Sequence, residues 1–189
     1  MTPPPPPRSP RREQLLDAAL ARFSERGVAE TRIEDVTAEA GVAKGTFYLY
    51  FRSKDEVLEA LRERFLEGMV AMTTEAAASL DTDDPWERID AFVGNVIAYD
   101  LDDPVAYELL LGDGTTDPDL LERCVAVETA AIARGRDAGV FWSPDPAASA
   151  RFLFHGVEGL IRDHLRRGGD REALVTTAQQ LVRRVLRPG

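Results

Sequence analysis

The chain has 189 residues, 44% of them hydrophobic and 30% charged, which fits a soluble globular protein of one or two domains and excludes wholesale disorder. Its single cysteine, Cys124, excludes an internal disulfide framework and points to a reducing, cytoplasmic setting. The longest apolar stretch, residues 91–99, is far short of the ~20 residues that a bilayer-spanning helix needs.

The net charge of −10 argues at first against nucleic acid, because phosphate binding needs positive potential. The average hides an asymmetry. Residues 1–64 hold eleven basic and eleven acidic groups and are neutral overall, so the whole excess of acid lies in residues 65–189. Between Gly41 and Lys54 there are three cations, Lys44, Arg52 and Lys54, and no acid. A basic patch in the first part and an acidic second part predict a two-part organisation.

Residues 1–10 read as a disordered, proline-rich arm with no apolar core, unlike a secretory signal. Ser9-Pro10 then opens a helix, since serine caps and proline fits the first turn. Leu15, Leu16, Ala19, Leu20 and Phe23 follow at helical spacing, and Gly27 supplies the stop. Thr31 with Glu34, and Ser53 with Glu56, read as capping boxes for two further helices. Asp-Pro recurs at 84–85, 103–104, 117–118 and 145–146, each time just before an apolar run of helical period, and Asp170 is a fifth cap. The predicted helices span about residues 11–26, 32–40, 44–50, 54–79, 85–101, 104–111, 118–138, 146–167 and 171–187. No segment alternates like a strand. The predicted fold class is all-α.

Helices 32–40 and 44–50, with the turn at Gly41-Val42 between them, have the lengths of a helix-turn-helix. Stepping 100° per residue from Lys44 sends Phe47 and Phe51 to one face. Gly45, Thr46, Tyr48 and Leu49 then spread over the rest. A recognition helix requires such a division, with one face buried and the other small, polar or phenolic. Gly45 lets the backbone approach base edges, Lys44 offers a donor to guanine or phosphate, and Thr46, Tyr48 and Tyr50 offer hydroxyls. Lys54 adds a cation suited to a phosphate.

The run from Gly41 through Lys44-Gly45-Thr46-Phe47-Tyr48-Leu49-Tyr50-Phe51 to Lys54 resembles the DNA-binding signature of the TetR family of transcriptional regulators. The resemblance covers about residues 11–60 and includes Ala18-Ala19, Phe23, Gly27 and Thr31. It implies a nine-helix architecture: a three-helix DNA-binding domain over residues 11–54, and a helical effector-binding and dimerisation domain over 55–189. It also implies that Thr31, Tyr48 and Lys54 clamp the DNA backbone while Lys44, Gly45 and Thr46 read bases. Two positions depart from the family pattern. Ala43 stands where a hydroxyl cap is usual, a loss of about 1 kcal/mol for the helix it opens. Leu49 stands where a polar or aromatic residue is common, and it can touch only a thymine methyl. Arg8, Arg11 and Arg12 fit either a minor-groove arm or a solvated tail.

In the second part, Phe152, Leu153, Gly156, Val157 and Leu160 of helix 146–167 form wide apolar stripes together with Leu181 and Val185 of helix 171–187. Stripes of that breadth fit a four-helix bundle with a second copy of the chain. Aromatics concentrate there too. Trp86, Phe92, Tyr99, Tyr107, Trp142, Phe154 and His155, with Cys124, are the candidate lining of an effector pocket.

No catalytic motif is present, and His155 and His164 fall out of phase on one helix. The loop Asp113 to Asp117 lacks a calcium-ligand repeat and reads as a turn; no metal or cofactor is expected. The reading is a homodimeric repressor of a palindromic operator, released by a small-molecule effector, with double-stranded DNA as partner and no enzymatic activity. The alternative, favoured by Leu49 and the acidity, is a helical small-molecule-binding or interaction protein that has lost operator binding.

Overall fold

The computed structural model describes residues 9–112 and 118–187 of the chain. Among them the regular secondary structure is nine α-helices: α1 (Pro10–Glu30), α2 (Ile33–Glu39), α3 (Lys44–Phe47), α4 (Lys54–Ser79), α5 (Pro85–Asp102), α6 (Pro104–Leu111), α7 (Pro118–Asp137), α8 (Pro146–Arg167) and α9 (Arg171–Leu186). The all-α class is as the sequence predicts. Most of the proline-rich arm, Arg8 and the Asp113 to Asp117 turn lie outside the described residues.

Local chemistry sets most of the boundaries. Ser9 accepts a hydrogen bond from the Arg12 amide at 3.2 Å, Asp84 from Trp86, Asp145 from Ala147 and Ala148, and Asp170 from Glu172. Each satisfies an otherwise orphaned first-turn donor. Helix α1 is broken at Gly27, whose φ of 80° is a conformation that favours glycine. The capping box expected at Ser53 forms only in half: the Glu56 amide donates to Ser53 Oγ at 3.2 Å, but the Glu56 carboxylate accepts from the Arg52 amide at 2.6 Å, one residue before the cap.

Two local expectations are corrected. Thr31 does not cap α2; Arg32 takes the N-cap position, and its amide donates to the Asp35 carboxylate at 2.9 Å. The third helix is also shorter than 44–50. Ala43 provides no side-chain cap, and after Phe47 the chain tightens into turns in which the Leu49 and Tyr50 amides reach back three residues, to Thr46 and Phe47.

The chain divides into two units, Met1–Phe65 with Val105–Asp113, and Leu66–Pro104 with Gly114–Gly189. The first therefore extends past the expected boundary at residue 54 and takes in α6. Leu15, Leu16, Ala19, Phe23, Val36, Phe47, Phe51, Val57 and Leu61 are among its buried apolar side chains from α1 to α4. Truncating one such phenylalanine costs about 3–5 kcal/mol. Buried Arg62 of α4 donates through Nε to the Leu110 carbonyl at 2.7 Å, satisfying an acceptor in the last turn of α6.

In the second unit α5, α7, α8 and α9 pack on one another around Ile89, Val93, Ile97, Val125, Ile132, Leu153, Ile161, Ala178 and Val182. The Trp86 and Phe141 rings meet edge-on with centroids 4.5 Å apart. The Arg183 guanidinium lies over the Trp86 ring at 5.3 Å while it pairs with Asp90. Gly135 leaves α7 without the Cβ that the Phe141 ring would strike. Trp86 is thus a packing clamp between α5 and α9.

Candidate nucleic-acid interface

In the helix-turn-helix, Gly41 makes the turn with φ at 62°, and the Val42 amide returns to the Thr37 carbonyl at 2.9 Å. That turn delivers α3 with Phe47 fully buried and Phe51 2% exposed. Their ring centroids are 5.8 Å apart, and the Arg12 guanidinium stands 5.3 Å over Phe51. Arg12 is therefore buried within α1 and is not part of a flexible arm.

The opposite face is open. Lys44 and Gly45 are exposed, Tyr48 is 51% and Leu49 77% exposed, and Thr46 and Tyr50 are half-buried. A methyl group added at Gly45 would meet nothing within 4 Å, so a partner's surface can approach the backbone there. The Tyr48 ring leans edge-on against Phe47 at 5.5 Å, which steadies its outward-facing phenol. The face is small, apolar and phenolic, the composition suited to base edges and thymine methyls.

The cations are arranged differently from the sequence expectation. Lys54 turns inward: its ammonium donates to the carbonyls of Val28 at 2.6 Å, Ala29 at 3.0 Å and Thr31 at 2.7 Å. All three donors of the ammonium are then used within the fold. Thr31 is fully buried, and its hydroxyl donates to the carbonyls of Gly27 at 2.8 Å and Arg22 at 3.2 Å. Both residues tie down the segment after α1, and neither presents its polar group to a phosphate. Lys44 remains outside but is paired with Glu34 of α2 at 2.5 Å. The pairing raises the lysine pKa and lowers that of the glutamate. Of the three cations in the patch, Arg52 alone is exposed and makes no ion pair among the described residues. Arg32, exposed at the start of α2, is a further cation that the sequence reading passed over.

Residues 15–61 match the profile of the bacterial regulatory proteins, tetR family. They form a TetR-family DNA-binding domain. The HTH-type transcriptional repressor KstR2 of Mycobacterium tuberculosis (strain ATCC 25618 / H37Rv) is 37% identical over 79 residues, which are 42% of this chain and 38% of KstR2. The chain spans less than half the length of the curated relatives it matches, and those relatives are transcriptional regulators. The rest of the chain shares the TetR-family fold. The fatty acid degradation regulator FadR from Bacillus halodurans superposes with a TM-score of 0.81 at 22% identity, over 94% of this chain and 96% of FadR. SmeT, the repressor of the Stenotrophomonas maltophilia multidrug efflux pump SmeDEF, gives a TM-score of 0.76 at 25% identity, over 94% of this chain and 90% of SmeT. SmeT has also been solved as a triclosan complex.

In the second unit, the candidate dimer residues separate. Phe152 (66%), Leu181 (52%) and Gly156 are exposed, and Leu160 and Val185 are half-buried. Leu153 and Val157 belong to the core of the unit, because they fall about 100–140° round α8 from Phe152, on its inward flank.

The effector candidates scatter. Tyr107 is fully buried in the first unit, Trp142 is 56% exposed and His155 is exposed. Phe92 and Phe154 are half-buried. Tyr99 is also half-buried, with its hydroxyl packed where Gly68 of α4 carries no side chain. Cys124 is buried, and desolvation pushes its thiol up to about 11.

Three interior acids were missed: Asp100 of α5 and Glu128 of α7, both buried, and Glu158 of α8. The signal was available. Each falls in phase with an apolar stripe, Asp100 with Val93 and Val96, Glu128 with Cys124 and Ile132, Glu158 with Phe154 and Ile161.

Proposed function

We propose that the chain is a homodimeric transcriptional repressor that binds a palindromic operator in double-stranded DNA and is released by a small molecule bound in the second unit. The observation that carries the reading is the outward face of the helix-turn-helix, with Gly45, Tyr48 and Leu49 open to a partner over a fully buried Phe47. Base contacts fall to Lys44, Gly45, Thr46 and Leu49, and backbone contacts to Tyr48, Tyr50 and Arg52. The dimer reading is supported by the exposed apolar surface of α8 and α9 at Phe152 and Leu181, where Gly156 and Gly159 leave room for a helix of a second copy. A repressor role, released by a ligand, agrees with KstR2 and SmeT, both named repressors, and with the triclosan complex of SmeT. A cytoplasmic site of action follows from that role.

Helix α4 begins in the first unit and ends in the second, so one helix carries residues of both. Coupling between effector and operator is reciprocal: an effector that lowers operator affinity is itself bound less tightly by the operator complex, by the same factor. Selection of bound sequences from random DNA by the purified protein tests the reading. A two-fold symmetric consensus with half-sites about one helical turn apart is expected. Recovery of no consensus would leave only a helical ligand-binding protein.

A further inference from the structure

Of the residues assigned to base contacts, only Leu49 projects an open side chain. Lys44 is held by Glu34 at 2.5 Å, Gly45 has no side chain, and Thr46 is half-buried. Lys54 and Thr31 spend their donors on backbone carbonyls within the fold. Leu49 is 77% exposed, the most exposed of the described large hydrophobic side chains. Exposed leucines are common on protein surfaces, and position gives this one a role.

Leu49 follows Gly45 by four residues, so the two share a side of the helical turn. A Cβ added at Gly45 would meet nothing within 4 Å, which leaves the backbone there open to a base edge. The Leu49 amide donates to the Thr46 carbonyl at 3.3 Å and the Tyr50 amide to the Phe47 carbonyl at 3.0 Å. The backbone that carries Leu49 is thereby tied to α3, whose Phe47 is fully buried. Arg52, three residues on, and Arg32 are exposed cations suited to phosphates.

In the major groove every base pair presents hydrogen-bonding atoms, but only thymine presents an apolar group, its C5 methyl. An apolar side chain set against any other base edge strips water from donors and acceptors and gives them no partner. We propose that Leu49 determines the operator sequence at one position in each half-site, by packing on the C5 methyl of a thymine. The proposal rests on the operator-binding reading above and names the base feature that is read. Loss of that methyl forfeits the burial of one methyl group per half-site, about fourfold in affinity, or about fifteenfold over a symmetric pair.

The test uses the consensus duplex recovered by selection from random DNA. Each thymine, together with its symmetry mate, is replaced in turn by deoxyuridine, which keeps the base pair and lacks only the methyl. Binding of the full-length protein by fluorescence anisotropy is expected to weaken about fifteenfold at one such position. It should recover with 5-bromodeoxyuridine, whose bromine fills the volume of the methyl. Leu49→Ala should weaken binding of the thymine duplex at least as much, and should respond to the replacement by less than about threefold. Its urea midpoint should match that of the wild type, because the side chain is exposed. A consensus insensitive to deoxyuridine at every thymine, or full sensitivity retained in Leu49→Ala, would overturn the proposal and leave operator binding standing. Recovery of no consensus would overturn the operator reading itself, and this assignment with it.

Discussion

The ammonium of Lys54 lies 2.7 Å from the carbonyl oxygen of Thr31, and the Thr31 hydroxyl in turn lies 2.8 Å from the carbonyl of Gly27. The two residues form a chain of donors that fastens the end of α1 to the start of α4. In this arrangement the end of α1 and the approach to α2 are held by a lysine that sequence pattern alone assigns to DNA.

Lys54→Met is accordingly expected to act on stability. It removes three hydrogen bonds from a charged donor to backbone carbonyls, two of them partly buried, and a net loss of about 2 kcal/mol is expected in urea unfolding. The slope of operator affinity against salt should stay as in the wild type. A slope lowered by about 0.9 with unchanged stability would return Lys54 to the phosphate-binding role.

The pairing of Lys44 with Glu34 predicts an unusual gain of function. Glu34→Gln removes an exposed acid beside the recognition helix and frees the lysine for a phosphate or a guanine. Tighter DNA binding is expected, with a salt slope steeper by about 0.9 and no measurable change in the urea midpoint. Lys44→Ala on top of Glu34→Gln should abolish the gain. Identical salt slopes for Glu34→Gln and wild type would show that Lys44 stays off the DNA.

The two faces of α8 predict opposite outcomes for the same substitution. Phe152→Glu and Leu181→Glu place a charge on an exposed surface, and should give folded monomers by sedimentation that no longer bind a two-half-site operator. Leu153→Glu buries an unpaired charge in the core and should unfold the second unit. Dimers in both surface variants would move the interface away from α8 and α9.

The buried acids predict that stability falls as pH rises above neutral. Burial holds the Asp100 and Glu128 carboxyls at about 8, far above their value in the unfolded chain. The folded state then binds protons more tightly than the unfolded state. Its advantage is full below about pH 4 and is lost as pH climbs through about 8. Each group contributes a slope of roughly 1.4 kcal/mol per pH unit in that window. Between pH 6 and 8.5, where ordinary carboxylates are ionised throughout, the urea midpoint should drop. Asp100→Asn and Glu128→Gln should each flatten the drop. A midpoint constant across this range would mean that both groups ionise freely in the folded protein.

Which parts of this molecule were legible in its sequence depends on the range of the interaction involved. Asp84, Asp145 and Asp170 bond to amides two or three residues away, so their helix starts could be read directly. Phe47 and Phe51 face inward because helical spacing puts them there, and the open face of Gly45, Tyr48 and Leu49 follows by exclusion. The destinations of long polar side chains obey no such spacing. Lys54 reaches carbonyls 23 to 26 residues back, Lys44 finds an acid 10 residues away, and Arg62 bonds a carbonyl 48 residues on. Each has several partners within reach of a flexible stem, and only the packed arrangement of helices decides among them. Asp100 combines both cases. Its place on an apolar stripe is a matter of local phase, whereas its meeting with Glu158 requires α5 and α8, more than fifty residues apart in the chain, to be folded together. Charge acts through space, and the distances that give it force exist only once the core has closed.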